Sequence, residues 1–511
     1  MSHKRKILQG SASNMARILL SMLGALVLPP LLVHRLAPAE YSAWVLILQC
    51  SAYVNLLDLG LQTAIGKFVA EYDALGDRTV GSQILSSSFA ILCVSAMIGA
   101  VGIAIITWLV PQLFHQTPPA LVGDLREGIL IIGLSTVFAL PFGAFLAVFT
   151  GLQRYGFPTV IALISKTLST AALAGLLLMH GSLLQLVWVM AACNVATAVG
   201  QFFGWRKYAN ERIGFSWTLV DREVALRLIR YGSVLSLWAV AGLFICGLDM
   251  VIVGHYDYKD TGYYGIASAV ANFMVVVISS LFGPLLPAVS SLQSGRTSSQ
   301  IGELTIKTTR YCALLLCLVG LPLVFGAYPL LKLWVGHDYA IRSALFLQIL
   351  VLGNAVRQLG YPYAMVTVAT GKQHLATIAG VTEAIVNISV SIYLVQRIGA
   401  VGVAIGTLVG AFVSLGLHLI VSMKFTHSTI SMPRRRLILV GFLQPLSCVL
   451  PTILLLPFWK RSSMLPASVP LIVVWCVATS AIGWFVGLTF AERNGFNSVI
   501  HRVIFCRLSR V

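Results

Sequence analysis

The sequence predicts an all-α polytopic membrane protein, and three observations do so. Of 511 residues, 58% are hydrophobic and 10% charged, against about 25% charged in soluble domains. Apolar runs of about 20 residues, the length that crosses a hydrocarbon core of about 30 Å, recur from near residue 14 to near residue 490. No stretch between them is long enough for a soluble domain, so a water-soluble fold is excluded.

About 14 transmembrane helices follow from those runs. The first half holds candidate spans near residues 14–34, 42–67, 84–110, 128–150, 157–179 and 183–205. The second half continues at 233–254, 263–291, 311–333, 341–370, 375–396 and 400–423, and two more lie at 437–459 and 467–490. The basic start "MSHKRK" followed by an apolar run imitates a signal peptide, but no small-residue cleavage site follows, so it reads as span one. The connection expected to be longest on the outer side is 111–127.

Nine cysteines stand singly, eight of them inside apolar runs, which is neither a disulfide framework nor a metal site. The formal net charge of +18 is dispersed among short inter-helix loops, so it suits anionic lipid headgroups better than nucleic acid. With the N-terminus inside, 26 of 35 Lys and Arg residues fall on the cytoplasmic side. That excess orients the chain with both termini cytoplasmic, in a bacterial inner membrane.

The chain repeats itself. "KILQGSAS" at 6–13 matches "LIRYGSVLS" at 228–236, and "APAEYSAW" around Tyr41 meets "KDTGYYGI" around Tyr263, both 222 residues apart. "VFTGLQRYGFPT" aligns Thr150, Gly151 and Gln153 with Thr370, Gly371 and Gln373 of "VATGKQHLATIA". Six spans per copy is an even number, so both copies enter from the same side: a parallel repeat with a pseudo-two-fold axis along the membrane normal and a substrate site between the lobes. The expected organisation is a six-helix lobe at 1–215, a cytoplasmic amphipathic linker at 216–232, a second six-helix lobe at 233–430, two appended helices at 431–490 and a basic tail at 491–511. In the linker, Val224, Leu228 and Tyr231 share one side and Arg222, Arg227 and Arg230 lie elsewhere, which suits a segment lying on the inner membrane surface.

Two six-span lobes, the "LQGSASN" start, "DLGLQTAIGKFVAEY" closing span two, the paired TGxQ turns and two appended helices together resemble the multidrug/oligosaccharidyl-lipid/polysaccharide (MOP) exporter superfamily, especially its Wzx-type polysaccharide flippases. The resemblance covers nearly the whole chain and rests on the order and spacing of soft motifs. It implies a V-shaped pair of bundles that alternate between inward-open and outward-open states. It also implies undecaprenyl-diphosphate-linked oligosaccharide as cargo, moved from the cytoplasmic to the periplasmic leaflet for cell-surface polysaccharides such as lipopolysaccharide or exopolysaccharide. By analogy with the related MurJ flippases, the last two spans would form a groove for the lipid tail.

Ionisable groups inside spans are costly and face a cavity or a partner. Residues equally far from a hairpin turn lie at similar depth, so Arg17 can meet Asp58 across spans one and two, and Arg357 can meet Glu383 across spans ten and eleven. Either pair could lock a lobe or serve function. Lys166 and Asp249 have no charged partner in their own hairpins, and Lys67 stands at the cytoplasmic mouth. Lys166, Arg357, Arg17 and Lys67 are therefore the expected cargo-binding cations, with a competing pairing of Lys166 with Glu383. Asp249, Asp58 and Glu383 are the expected sites of ion coupling or charge pairing, Asp249 first among them.

No HExxH, paired-carboxylate loop or Walker-type GxxxxGK[ST] is present, so neither catalysis nor a cofactor is expected. Two alternatives stand beside the flippase: a cation-coupled multidrug exporter of the same superfamily, which would expose unpaired carboxylates, and a membrane-embedded polymerase or glycosyltransferase, which would need a sizeable outer loop. Expected partners are the lipid-linked oligosaccharide, membrane lipids and other polysaccharide assembly proteins, with no nucleic acid.

Overall fold

In hydrocarbon the backbone must satisfy its own hydrogen bonds, which only helices and closed barrels achieve. The computed structural model describes residues 24, 26–154, 156–233, 247–283, 285–292, 298–450, 474, 477–487 and 492–493, and among these helix is the only regular structure. Among the described residues ten helices are long and apolar enough to cross a membrane: Pro38–Leu75, Arg78–Leu113, Pro119–Gly151, Gly156–Leu178, Leu183–Tyr208, Tyr258–Phe282, Ser298–Phe325, His337–Ala369, Gln373–Ile398 and Ala400–Thr426. They coincide with expected spans two to six and eight to twelve. Leu26–Arg35 ends span one and Leu248–Tyr256 ends span seven. Most of spans thirteen and fourteen, and with them the total of fourteen, lies outside the described residues.

The connection at 111–127 differs from expectation. Span three stays helical to Leu113 and span four begins at Pro119, where a proline in the first turn gives up an N–H that would have had no helical partner. Only five residues connect the two helices.

Several spans are broken, and the breaks keep the register of the repeat. Span two is the helix Pro38–Ala52, a 3-10 turn Tyr53–Asp58 and the helix Leu61–Leu75. At its break Leu59 and Gly60 are both left-handed, with φ 51° and 65°. Span eight ends at Phe282 and the chain resumes as Leu285–Leu292 past Gly283, 223 residues beyond Gly60. Span four breaks between Ala139 and Gly143, and span ten between Leu359 and Tyr361. Pro141 and Pro362 mark those two breaks, 221 residues apart; each removes a backbone donor and prevents an unbroken helix.

The chain packs as two compact units, Met1–Ile266 with Ile392–Val403, and Ala267–Ser391 with Ala404–Val511. The core of the first gathers Leu61, Ile65, Phe68, Leu85, Phe145, Phe149 and Trp205. The linker helix, residues 222–233, presents the expected face, but to protein rather than to lipid: Leu228 is buried in this core, with Val224 and Tyr231 packed against it. The residues before it are pinned to span three. Ser82, Ser86 and Ser87 accept the backbone N–H groups of Gly214, Ser216 and Asp221 at 2.9, 3.2 and 3.0 Å. Phe215 and Trp217 bracket Phe89 at ring distances of 5.0 and 5.8 Å. In the second unit, Ile301, Ile306, Tyr363, Val366, Met423 and Leu437 share a core. There Arg310, 6% exposed, holds Glu492 at 2.5 Å and Lys307 adds a contact at 3.4 Å, which fastens the chain beyond span fourteen to span nine.

Candidate functional site

The membrane face that bears the TGxQ turns is the basic side; the other is the far side. On the far side a seam runs between the two copies of the repeat, inside the first compact unit. Tyr258 donates its hydroxyl to the Ala39 carbonyl at 2.9 Å. Gln116 donates to the Tyr256 carbonyl at 2.7 Å and accepts the Tyr258 N–H at 3.2 Å. His255 bonds the Leu113 carbonyl and lies edge-on to His115, with ring centroids 5.0 Å apart. Deeper in the span, Tyr53 donates to the Gly247 carbonyl at 2.9 Å.

The seam also brings together segments that the repeat pairs. Ser42 accepts the N–H of Gly262 at 3.1 Å, and a Cβ on Gly262 would stand 3.0 Å from Tyr41. Tyr41 and Tyr263 are the residues paired in the repeat, so the contact lies within one residue of that register.

The structure separates the expected charged residues. Lys166 lies ten residues into Gly156–Leu178, about 15 Å along the helix, near the middle of a hydrocarbon core. Its side chain is exposed and its stem lies on Gly24, where an added Cβ would be 3.1 Å from Cε. Among the described residues no carboxylate lies within ion-pair distance of it. Arg357 is neutralised: its Nε is 2.5 Å from Glu383 Oε1 and its Nη1 donates to Asn354 at 2.6 Å. Depth arithmetic anticipates this pair, and with Glu383 only 3% exposed and bound to Arg357, Arg357 takes the place expected of Lys166 in the competing pairing.

Lys67 is exposed on span two, with its ammonium 4.1 Å from the centre of the Tyr231 ring and 5.2 Å from Phe68. Arg17, and so its meeting with Asp58, lies outside the described residues. Asp58 closes the 3-10 turn at the break of span two, beside Gln62, with Oδ1 buried and without a hydrogen bond. Asp249 departs from its expected isolation. It is buried and accepts the Tyr264 hydroxyl at 3.3 Å from the next span, and it stands in the first turn of Leu248–Tyr256, where the helix dipole favours an anion. A search for charged partners passes over a phenol.

Sequence reasoning also missed the seam and the serine row. The seam joins residues some 140 to 220 positions apart, with no local signal. The serines do leave one: Ser82 and Ser86 sit four apart on an apolar span, a polar stripe that needs an acceptor or donor nearby. Among the described residues no group of three or more His, Cys, Asp or Glu could hold a metal ion.

The fold is that of known transporters. The lipid II flippase MurJ in an inward closed conformation superposes with a TM-score of 0.67 at 14% identity, over 98% of this chain and all of that one. An inward-facing multidrug resistance MATE family transporter of the MOP superfamily gives 0.62 at 13% identity, over 88% and 96% of the two chains. A MOP superfamily transporter from Pyrococcus furiosus gives 0.56 at 13%, over 83% and 96%. At such identities the likeness is one of fold. No curated protein sequence matches the chain. Residues 32–343 match the polysaccharide biosynthesis protein family, so this multi-pass membrane chain, with the fold of the MOP transporters, belongs to that family.

Proposed function

We propose that the protein is a flippase that carries undecaprenyl-diphosphate-linked oligosaccharide from the cytoplasmic to the periplasmic leaflet of a bacterial inner membrane, by alternating access and without catalysis. The basic side is then cytoplasmic, with both termini there, by the excess of Lys and Arg in its loops. The two six-helix lobes, residues 1–215 and 233–430, move about the pseudo-two-fold axis, and the far-side seam is the closed periplasmic gate.

The observation that carries this reading is Lys166, a cation at mid-membrane with no carboxylate within ion-pair distance among the described residues. A diphosphate cannot enter hydrocarbon without compensation, and a lysine at that depth is expensive unless it meets an anion or water. Lys166 is the central contact, Lys67 and Arg17 guide the headgroup from the cytoplasmic mouth, and Arg357 holds spans ten and eleven together through Glu383. Family membership in polysaccharide biosynthesis supports an anionic sugar lipid over a cationic drug.

Purified protein titrated with a prenyl-diphosphate sugar tests this. Lys166→Arg should bind like wild type, while Lys166→Gln should lose affinity by ten-fold or more, as expected for a charge-assisted bond of about 1.5–3 kcal/mol. Unchanged affinity in a folded Lys166→Gln protein rejects the assignment.

A further inference from the structure

At the basic side, spans eleven and twelve leave between them an open groove of about 410 Å³. Ile378 and Leu375 wall it from one helix, and Val421, Ser422 and Phe425 from the other, with Lys372 and His374 at the rim. Span twelve turns as a π-helix over His418–Ser422 along this wall, and such bulges are frequent at functional sites. Two cations cap carbonyls at the same end of span twelve: Lys372 donates to Phe425 and Arg434 to Ile420 at 3.0 Å. No aspartate or glutamate occurs in residues 371–382 or 413–436.

The first copy of the repeat is an internal control. There the corresponding hairpin closes on its own aromatic side chains: Phe157 lies against Gly204, where an added Cβ would be 2.0 Å from its ring, and stacks 4.3 Å from Phe149. In the register of the TGxQ turns, Gly204 becomes Lys424, Phe202 becomes Ser422 and Trp205 becomes Phe425. Trp205 is 3% exposed and Phe425 is 57% exposed. The second copy has given up the filling aromatics and gained a lysine.

We propose that this groove binds an anionic phospholipid of the surrounding leaflet, with one acyl chain between spans eleven and twelve and the phosphate between Lys372 and Arg434. An apolar groove that opens toward lipid is filled by lipid, and the acid-free cationic rim selects the headgroup. The volume lies in the range of small-ligand sites, about 300–1,000 Å³, which suits one acyl chain and not a full polyprenyl tail. Lys166 is not among the groove's lining residues, and the proposal does not depend on the cargo.

Delipidated full-length protein in detergent, observed by native mass spectrometry with phosphatidylglycerol or phosphatidylcholine, provides the test. Wild type should retain one phosphatidylglycerol at least ten-fold better than phosphatidylcholine. Lys372→Gln with Arg434→Gln should abolish that preference, at about five-fold per cation, with phosphatidylcholine retention unchanged. Ile378→Trp, at an exposed position on the groove wall, should lose the bound lipid while keeping the wild-type melting temperature; Ser422→Phe, which restores the first copy's residue, serves if the tryptophan variant misfolds. Equal retention of the two lipids by wild type overturns the proposal, as does wild-type retention in the folded groove-filled variant. Displacement of the phosphatidylglycerol by polyprenyl diphosphate would assign the groove to cargo and overturn it equally.

Discussion

The two copies of the repeat share a backbone plan and differ in how they treat charge. In the second, Arg357 and Glu383 neutralise each other across spans ten and eleven. In the first, the residue 220 positions before Arg357 is Val137, packed in an apolar cluster with Val54 and Ile103. Span five there carries Lys166, within one turn of the position that matches Glu383. At matched depths one copy pairs its charges, while in the other no carboxylate among the described residues lies within ion-pair distance of the lysine. A duplicated scaffold can thus treat corresponding positions with different electrostatics without altering the fold.

The TGxQ turns show the same divergence on a smaller scale. Gly151 is required by packing: an added Cβ would stand 2.7 Å from Val69 and 2.9 Å from the Gly66 carbonyl. Gly371 has open space around it and is required by its backbone, at φ 78°. In the first copy the left-handed residue is Gln153, at φ 55°. Identical motif letters serve different physical needs.

Breaking the balanced copy should have the largest effect. Arg357→Ala leaves Glu383 charged and buried, a loss of about 3–5 kcal/mol, whereas Arg357→Leu with Glu383→Leu should come close to wild type. Thermal unfolding in detergent over the double-mutant cycle checks this, and additive losses would deny the coupling. The glycine comparison comes next. Gly151→Ala should cost about 1–3 kcal/mol, and Gly151→Asn should cost more, since a larger side chain meets the same Val69 Cβ and Gly66 carbonyl. Gly371→Ala should cost about 1–2 kcal/mol and be relieved by Gly371→Asn. If asparagine relieved both, the two glycines would not differ in kind.

Gln116→Ala removes two hydrogen bonds of the far-side seam, worth about 0.5–1.5 kcal/mol each. Labels on the far-side ends of spans three and seven, read by double electron–electron resonance, should then show a greater share of separated distances. An unchanged distance distribution would mean the seam is no gate. The smallest effect belongs to Lys67→Gln, which removes a cation–π contact of about 0.5–1 kcal/mol with Tyr231 and should leave the seam distances alone.

Much of this was legible in the sequence because the membrane imposes simple rules. Length and hydropathy locate spans, and equal distance from a turn locates the Arg357–Glu383 pair. A 3.6-residue period shows the Val224, Leu228 and Tyr231 face, though not that it meets protein in place of lipid. The hydrogen-bond partner of Asp249 was not legible, because Tyr264 carries no charge. The seam was invisible because Gln116, Tyr256 and Tyr258 meet through tertiary packing alone. Helix breaks could have been read at Pro141 and Pro362 but hardly at Asp58–Gly60, where left-handed Leu59 has no sequence signature.

The touch of Gly262 on Tyr41 and Ser42 bears on where the two copies are free to diverge. A side chain at 262 would crowd Tyr41, and Ser42 holds the Gly262 N–H, so a change on either side of this join is felt by the other. Lys166 lies on Gly24 and Arg357 pairs with Glu383, each within its own copy. In a homodimer of six-span chains every substitution would appear in both subunits at once, whereas one polypeptide that carries both copies can change each alone.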